Sequence, residues 1–293
     1  MNETSGGTQW FEASARARIE ARGPEAARFV NNLCSNDVLR LADGAACEAC
    51  FCNAKGGMVG YGTIRKLGDV LTIDTEPAQG AALLKHLDRY LIRERVVLAD
   101  RTAETRAFHV FGPDAERRCA GMPGAAFYAR QRTPQSGYDV LAPADQAAAL
   151  RTALGAGEIS AATATALRVA AGLPAFGIDV PEGTLPQELD RTSQAISFTK
   201  GCYIGQETVA RLDAYGHVNK ILRGLILAGP ATTGEAIVQG EKEVGKLGTA
   251  ARQPDGRWFG LAIVRVAAAA PGTAVMVGGQ TAEISALPFA AGG

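Results

Sequence analysis

Beyond Asn219 the chain stops mixing helices with strands and reads as strands alone. Residues 220–227, 236–239, 244–252, 258–265, 274–277 and 281–287 are short runs suited to β-structure, separated by Gly and Pro, with Asp255-Gly256 as a hairpin turn. Short strands at such close spacing suggest a small antiparallel barrel as a second domain. The chain therefore divides near residue 217, into segments 1–217 and 218–293.

The longer segment has a different texture. Residues 16–21 read as a strand, and Gly23-Pro24 opens a helix in which Ala26, Phe29, Val30 and Leu33 fall on one face. Residues 45–53 and 58–66 flank Ala54-Lys55-Gly56-Gly57 and read as a hairpin, with residues 70–74 as a third strand. From Pro77 a helix buries Leu83, Leu84, Leu87 and Leu91 and leaves Lys85, Asp88, Arg89 and Arg93 wet. Strands over 96–99, 106–111 and 137–141, a helix from Gly112-Pro113 and an Ala-rich helix over 144–154 complete the pattern. Without regular βαβ alternation, this favours an α+β fold over a doubly wound sheet.

Charge removes some functions. Thirty Lys and Arg balance thirty Asp and Glu, so no global field exists to hold nucleic acid or an anionic membrane, and polyanion binding is confined to a local patch. The first twenty residues lack an apolar core and carry Glu3, Glu12 and Glu20, unlike a secretory or transit signal. The most apolar stretch, 261–277, is broken by Arg265 and Pro271, so no membrane span is expected. Six Cys in a large chain without an export signal read as reduced thiols, and the expected compartment is the cytoplasm.

The densest stretch for chemistry is Lys200-Gly201-Cys202-Tyr203-Ile204-Gly205-Gln206-Glu207, followed by Arg211. Ile204, Thr208, Val209 and Leu212 recur at helical spacing with Gly216 as a stop, which predicts Cys202 at a helix N-terminus, where the dipole favours a thiolate. Lys200 would add to this if its ammonium turns toward the sulfur. Gly201 and Gly205 leave room for a ligand or for a neighbouring strand. Cys202 also has a plain reading as a small core residue. Cys47, Cys50 and Cys52 invite a metal reading, but on a regular strand Cys50 and Cys52 share one face while Cys47 takes the other, so structural thiols are expected and no metal site is assigned. His86, His109 and His217 are far apart in sequence, and phosphate-binding Gly motifs are absent.

The same eight residues resemble the K-G-C-Y-x-G-Q-E signature of the YgfZ-type folate-binding proteins, relatives of the glycine-cleavage T-protein and of a mitochondrial iron-sulfur assembly factor. Gly23-Pro24 through Phe29 to Asn36-Asp37-Val38, Asn53-Ala54-Lys55-Gly56-Gly57, Gly172-Leu173-Pro174 and Leu185-Pro186-Gln187-Glu188 extend the resemblance over nearly the whole chain. It implies a T-protein-like fold, two intertwined α/β subdomains around a central cavity plus the C-terminal barrel. It further implies a reduced folate such as tetrahydrofolate as ligand. Cys202 and Lys200 would be the functional pair, and Asn36, Asp37, Glu188 and Tyr203 would contact the folate. Gly201, Gly205, Gln206, Glu207 and Arg211 would complete the motif.

Two departures bear on activity. Ala170 stands where the transferase has the Glu of an R-x-E-x-G stretch, and Gly80-Ala81 falls near its catalytic Asp. The resemblance thus implies first an accessory protein for iron-sulfur enzymes, with the assembly machinery or client enzymes as partners. A folate-dependent aminomethyltransferase or other one-carbon transferase or demethylase needs a replacement acid, with Asp74, Asp179 and Glu188 as candidates. A ligand-free scaffold is the third reading.

Overall fold

The structure, a computed structural model, describes residues 6–122 and 124–290. The chain runs through β1 (Gln9–Glu12), β2 (Ala17–Arg22), α1 (Ala26–Asn31), β3 (Ala46–Cys52), β4 (Met58–Leu67), β5 (Val70–Thr75), α2 (Gly80–Asp88) and β6 (Val97–Asp100). It continues through β7 (Thr105–Phe111), α3 (Ala115–Ala120), β8 (Ala126–Ala129), β9 (Gly137–Pro143), α4 (Ala147–Leu154), α5 (Ala161–Ala170), α6 (Thr192–Ala195) and α7 (Gln206–Tyr215). The remainder is β10 (Lys220–Leu227), β11 (Ala236–Gln239), β12 (Lys242–Arg252), β13 (Trp258–Arg265), β14 (Ala274–Val277) and β15 (Gln280–Ser285).

Two antiparallel sheets and a barrel result. One sheet has the order β3-β4-β5-β2-β6, the other β1-β7-β9-β8. β1 precedes β2 in the chain yet pairs with β7, so the polypeptide starts in the second sheet, builds the first and returns. That crossing intertwines the two subdomains. The last six strands close as β10-β13-β12-β11-β14-β15, which leaves no unpaired edge.

Side-chain alternation explains the layers. On β3, Ala49 and Phe51, with Cys47 at the margin, join a core with α1 and α2 that holds Phe29, Val30, Ile64, Ile73, Leu83 and Leu87. Cys50 and Cys52 face the opposite way, into a second core with Met58, Val169, Phe176, Val209, Leu222 and Phe259. The period of two thus separates the thiols as the sequence predicts. Trp10, Phe108, Val140 and Leu150 fill the core of the second sheet. Leu225, Ile237, Leu247, Val264 and Ile284 fill the barrel.

Helix α5 has no counterpart in the elements expected from the sequence. Its apolar face is mostly alanine, a weak periodic signal, and its start is marked by Ser160, whose hydroxyl accepts the Thr163 N–H at 3.1 Å. The tail after the barrel closes the joint between domains: Phe289 stacks on Phe259 with ring centroids 4.0 Å apart, and Gly224 makes the room, since a Cβ there would lie 2.5 Å from the Phe289 ring. Phe289→Ala is expected to destabilise the protein by about 3–5 kcal/mol, read as a lowered urea midpoint. An unchanged midpoint would mean that the tail does not hold the barrel in place.

Candidate functional site

The motif loop is pinned from below by its lysine. Lys200 Nζ donates to the carbonyls of Asn31, Cys34 and Asn36 at 2.6, 2.7 and 2.7 Å, and lies 5.0 Å from the centre of the Tyr203 ring. All three of its N–H donors are spent on the end of α1 and the loop after it. The ammonium therefore does not serve the Cys202 sulfur, which corrects the expected pairing. Burial pulls the Lys200 pKa below its ordinary value.

The helix also begins later than its apolar spacing predicts. α7 starts at Gln206 with Gly205 as its N-cap, so Cys202 sits four positions ahead of the first turn, exposed on a loop. Neither the core reading nor the helix-terminus reading of Cys202 holds. Gly205 has φ +83°, and a Cβ there would meet the Asn53 carbonyl oxygen at 2.6 Å and the Cys52 Cβ at 2.8 Å; it accommodates the β3–β4 hairpin. Gly201 has open space around it. Gln206 Oε1 accepts the Tyr203 N–H at 2.9 Å, while Glu207 and Arg211 are exposed.

Asn36 is the hub beneath this loop. Its amide donates to the carbonyls of Glu48 and Gln194, both at 2.8 Å, and its Oδ1 accepts the Asp37 N–H. Asp37 caps the following turn through the Leu39 and Arg40 N–H groups. Glu188 accepts the Leu185 N–H at 2.9 Å, and burial raises its carboxyl pKa. Asn36, Asp37, Glu188 and Tyr203 thus brace loops, and none of them is in the wall of the cavity that lies between the two sheets.

That cavity has a volume of about 290 Å³ and is bounded by β1, β4, the β8–β9 connection and α5. Phe11, Pro77, Leu173 and Pro174 give it apolar walls; Glu48, Tyr61, Arg16, Arg130, Arg132 and Arg168 give it polar ones. Glu48 accepts from Arg191 at 2.5 and 2.7 Å and from the Tyr61 hydroxyl. Burial opposes its charge, but the bonds and charge of Arg191 prevail and hold the carboxyl below its usual range. A carboxylate has about four lone-pair sites. Glu48 therefore retains acceptor capacity toward the cavity.

Beside it, Asp74 of the first sheet and Asp139 of the second share two arginines. Arg130 Nη1 lies 2.9 Å from Asp74 and 3.1 Å from Asp139, and Arg132 Nη2 lies 3.3 and 2.8 Å from the same two. Arg16 adds a third guanidinium to Asp74, and His109 Nδ1 lies 2.9 Å from Asp139. Burial disfavours both carboxylates, yet the arginine charges outweigh it and keep both pKa values far below the ordinary range. Burial lowers the pKa of His109, so its imidazole is neutral and its Nδ1–H is the donor to Asp139.

The replacement acids are occupied elsewhere. Asp74 is locked in this cluster; Asp179 accepts from Arg168 and the Ala175 N–H at 2.7 Å and from the Thr249 N–H at 2.6 Å; Glu188 caps its own turn. Gly80 offers no space for an acid, since a Cβ there would lie 2.5 Å from that of Ala17. Ala170 packs with Leu287 on the core that joins barrel and sheets, whereas the cavity is faced by Ala161, Ala164, Thr165 and Arg168. Glu48, Tyr61, Arg130 and Arg132 are not among the candidates that the sequence singles out. A glutamate inside the otherwise apolar run of β3 and the Arg-Gln-Arg of residues 130–132 were the signals available.

Residues 2–127 match the family model described as the GCVT N-terminal domain, and residues 220–290 match the C-terminal β-barrel domain of CAF17. An aminomethyltransferase of Rubrobacter xylanophilus is 27% identical over 87% of this chain and 75% of its own length. The mitochondrial iron-sulfur cluster assembly factor IBA57 of Mus musculus is 28% identical over 76% of this chain and 68% of its own. The glycine cleavage system aminomethyltransferase T of Bartonella henselae superposes with a TM-score of 0.84 over 98% of this chain and 87% of that one, at 18% identity. The chain has the T-protein fold, with a closed six-strand antiparallel barrel at its C-terminus.

Two measurements follow from the site. Cys202 is the one exposed thiol, while burial pushes Cys47, Cys52 and Cys119 up to about 12 and raises Cys34 and Cys50. Brief iodoacetamide treatment near neutral pH should alkylate Cys202 first, as read by peptide mass; faster labelling of another thiol would contradict the burial pattern. The depressed Asp74 and Asp139 pKa values stabilise the fold in full above the unfolded Asp value of about 3.9, and this contribution is lost as pH falls below it. Asp74→Asn should cost about 3–5 kcal/mol at pH 7 and flatten the acid limb of the stability curve. A variant curve parallel to that of the parent would rule out Asp74 as the source.

Proposed function

We propose that this protein is a YgfZ-type accessory factor for the assembly or maintenance of iron-sulfur enzymes, with Cys202 as its working thiol. The observation that carries this reading is the placement of that thiol: it is exposed on a loop that Lys200 anchors through three carbonyls, so it is accessible to a large partner yet held in a fixed frame. The relatives named as iron-sulfur assembly factors and the CAF17-type barrel support it. Group transfer is disfavoured, because Gly80 and Ala170 provide no proton acceptor and the other candidate acids are bonded within the fold. A reducing cytoplasm is the proposed compartment, supported by six free cysteines. Among the described residues no helix is long and apolar enough to cross a membrane.

A reduced folate is the proposed ligand of the cavity between the sheets. Its exocyclic amine is a donor for the one acceptor position that Arg191 and Tyr61 leave on Glu48, and the apolar walls suit the ring faces. At about 290 Å³ the cavity lies at the lower end of small-molecule sites, about 300–1,000 Å³, and suits the bicyclic head.

In a strain lacking the protein, Cys202→Ser should leave the unfolding midpoint unchanged and fail to restore iron-sulfur enzyme activity. Full restoration would remove the thiol from the function. Anaerobic calorimetry with tetrahydrofolate should give binding that Glu48→Gln weakens tenfold or more, the equivalent of about 1.5–3 kcal/mol for a charged hydrogen bond. Equal binding by both would exclude Glu48 as the reader of the ring.

A further inference from the structure

On the outside of the barrel, a groove of about 380 Å³ opens between the wall of β10, β12 and β13 and the loop that carries Ile178, Asp179 and Pro181. Three cations face it. Lys220 lies directly across from Arg265 on adjacent strands, and Lys246 lies across from Ile263, two residues from Arg265. Cross-strand partners share a face, and so do residues two apart, so the register puts all three on one side of the sheet. All three are exposed.

The groove does not neutralise them. Among the described residues, none of the three side chains is in an ion pair or hydrogen bond. Asp179, also in the wall, is consumed by Arg168 and by the Ala175 and Thr249 N–H groups. Glu188 sits beneath the start of β10, where the Lys220 N–H and charge lower its pKa against the rise that burial imposes. Glu243 is the remaining acid of the wall, one against three cations. Like charges set directly opposite on neighbouring strands destabilise a sheet. Here the pair borders a concave site with Ile263 in its floor and with Ile178 exposed by 51% at its rim.

We propose that this groove is a binding site for a small ligand with two or more clustered negative charges, carried on phosphate or carboxylate groups. The three cations occupy three adjacent strands spaced about 4.8 Å apart, so they converge on one compact anion rather than on an extended chain. The volume lies within the range of small-molecule sites, about 300–1,000 Å³. The site is separate from the cavity between the sheets and independent of Cys202. It is the local patch that a chain of zero net charge can carry.

Calorimetric titration at low salt with inorganic pyrophosphate and with citrate tests it. The wild-type protein should bind at least one of them with micromolar to low millimolar affinity. The triple variant Lys220→Gln, Lys246→Gln, Arg265→Gln should bind at least tenfold more weakly. A control with the same loss of charge elsewhere, Lys55→Gln, Lys85→Gln, Arg117→Gln, should bind like wild type. Preference for pyrophosphate assigns the ligand to the phosphates and preference for citrate to the carboxylates; equal binding leaves a general anion site. Should the triple variant not fold, Arg265→Gln alone should weaken binding about threefold. No binding by the wild type, or equal loss in the variant and the control, would overturn the proposal.

Discussion

The junction of Asp74 and Asp139 with Arg130 and Arg132 is the constraint on which the rest depends. The two aspartates belong to different sheets, and the two arginines come from the short connection between β8 and β9, so four side chains fasten the subdomains across a polar gap. An apolar contact would have closed that gap. Charged groups keep their spacing because each guanidinium needs its fork of acceptors and each carboxylate its donors. The cavity between the sheets survives beside them for this reason. The cluster is buried, so its net worth to stability is small compared with the cost of removing one partner.

The motif acts through the same logic at smaller scale. Lys200 satisfies three carbonyls, that of Asn31 at the end of α1, which the helix terminus leaves without a partner, and those of Cys34 and Asn36 in the loop that follows. Gly205 lets the β3–β4 hairpin approach the start of α7, and Asn36 ties the same region to β3 and α6. Most of the signature is therefore occupied with holding a loop still. Cys202 and Gly201 are left outside that work, facing open space.

Barrel and sheets meet through packing of another kind. Val169, Phe176, Leu222, Phe259, Leu261 and Phe289 come from both sides and form one apolar core, so the joint is as dry as a domain interior. Arg168 links the two environments: it lines the cavity, pairs with Asp179 at 2.7 Å and donates to Thr249 of the barrel at 2.7 Å. Ala170, on the same helix, fits the apolar joint, where a glutamate would bring an unpaired charge.

What the sequence determined by itself is local. The strands of the barrel, the helix with Leu83 and Leu87 and the opposed faces of Cys47 and Cys50 follow from periodicity and turn residues, which depend only on near neighbours. Helix α5 escaped because alanine carries little periodic contrast. The start of α7 is not legible in its own periodicity because Gly205 ends the loop against Asn53 and Cys52, residues some 150 positions away. The cavity was decided by tertiary structure alone. Glu48, Tyr61 and Arg191 meet across a span of 143 residues, and Asp74 meets Arg132 across 58. Charge pairing at such separations has no period to betray it, and it exists only once the apolar faces have brought the sheets together.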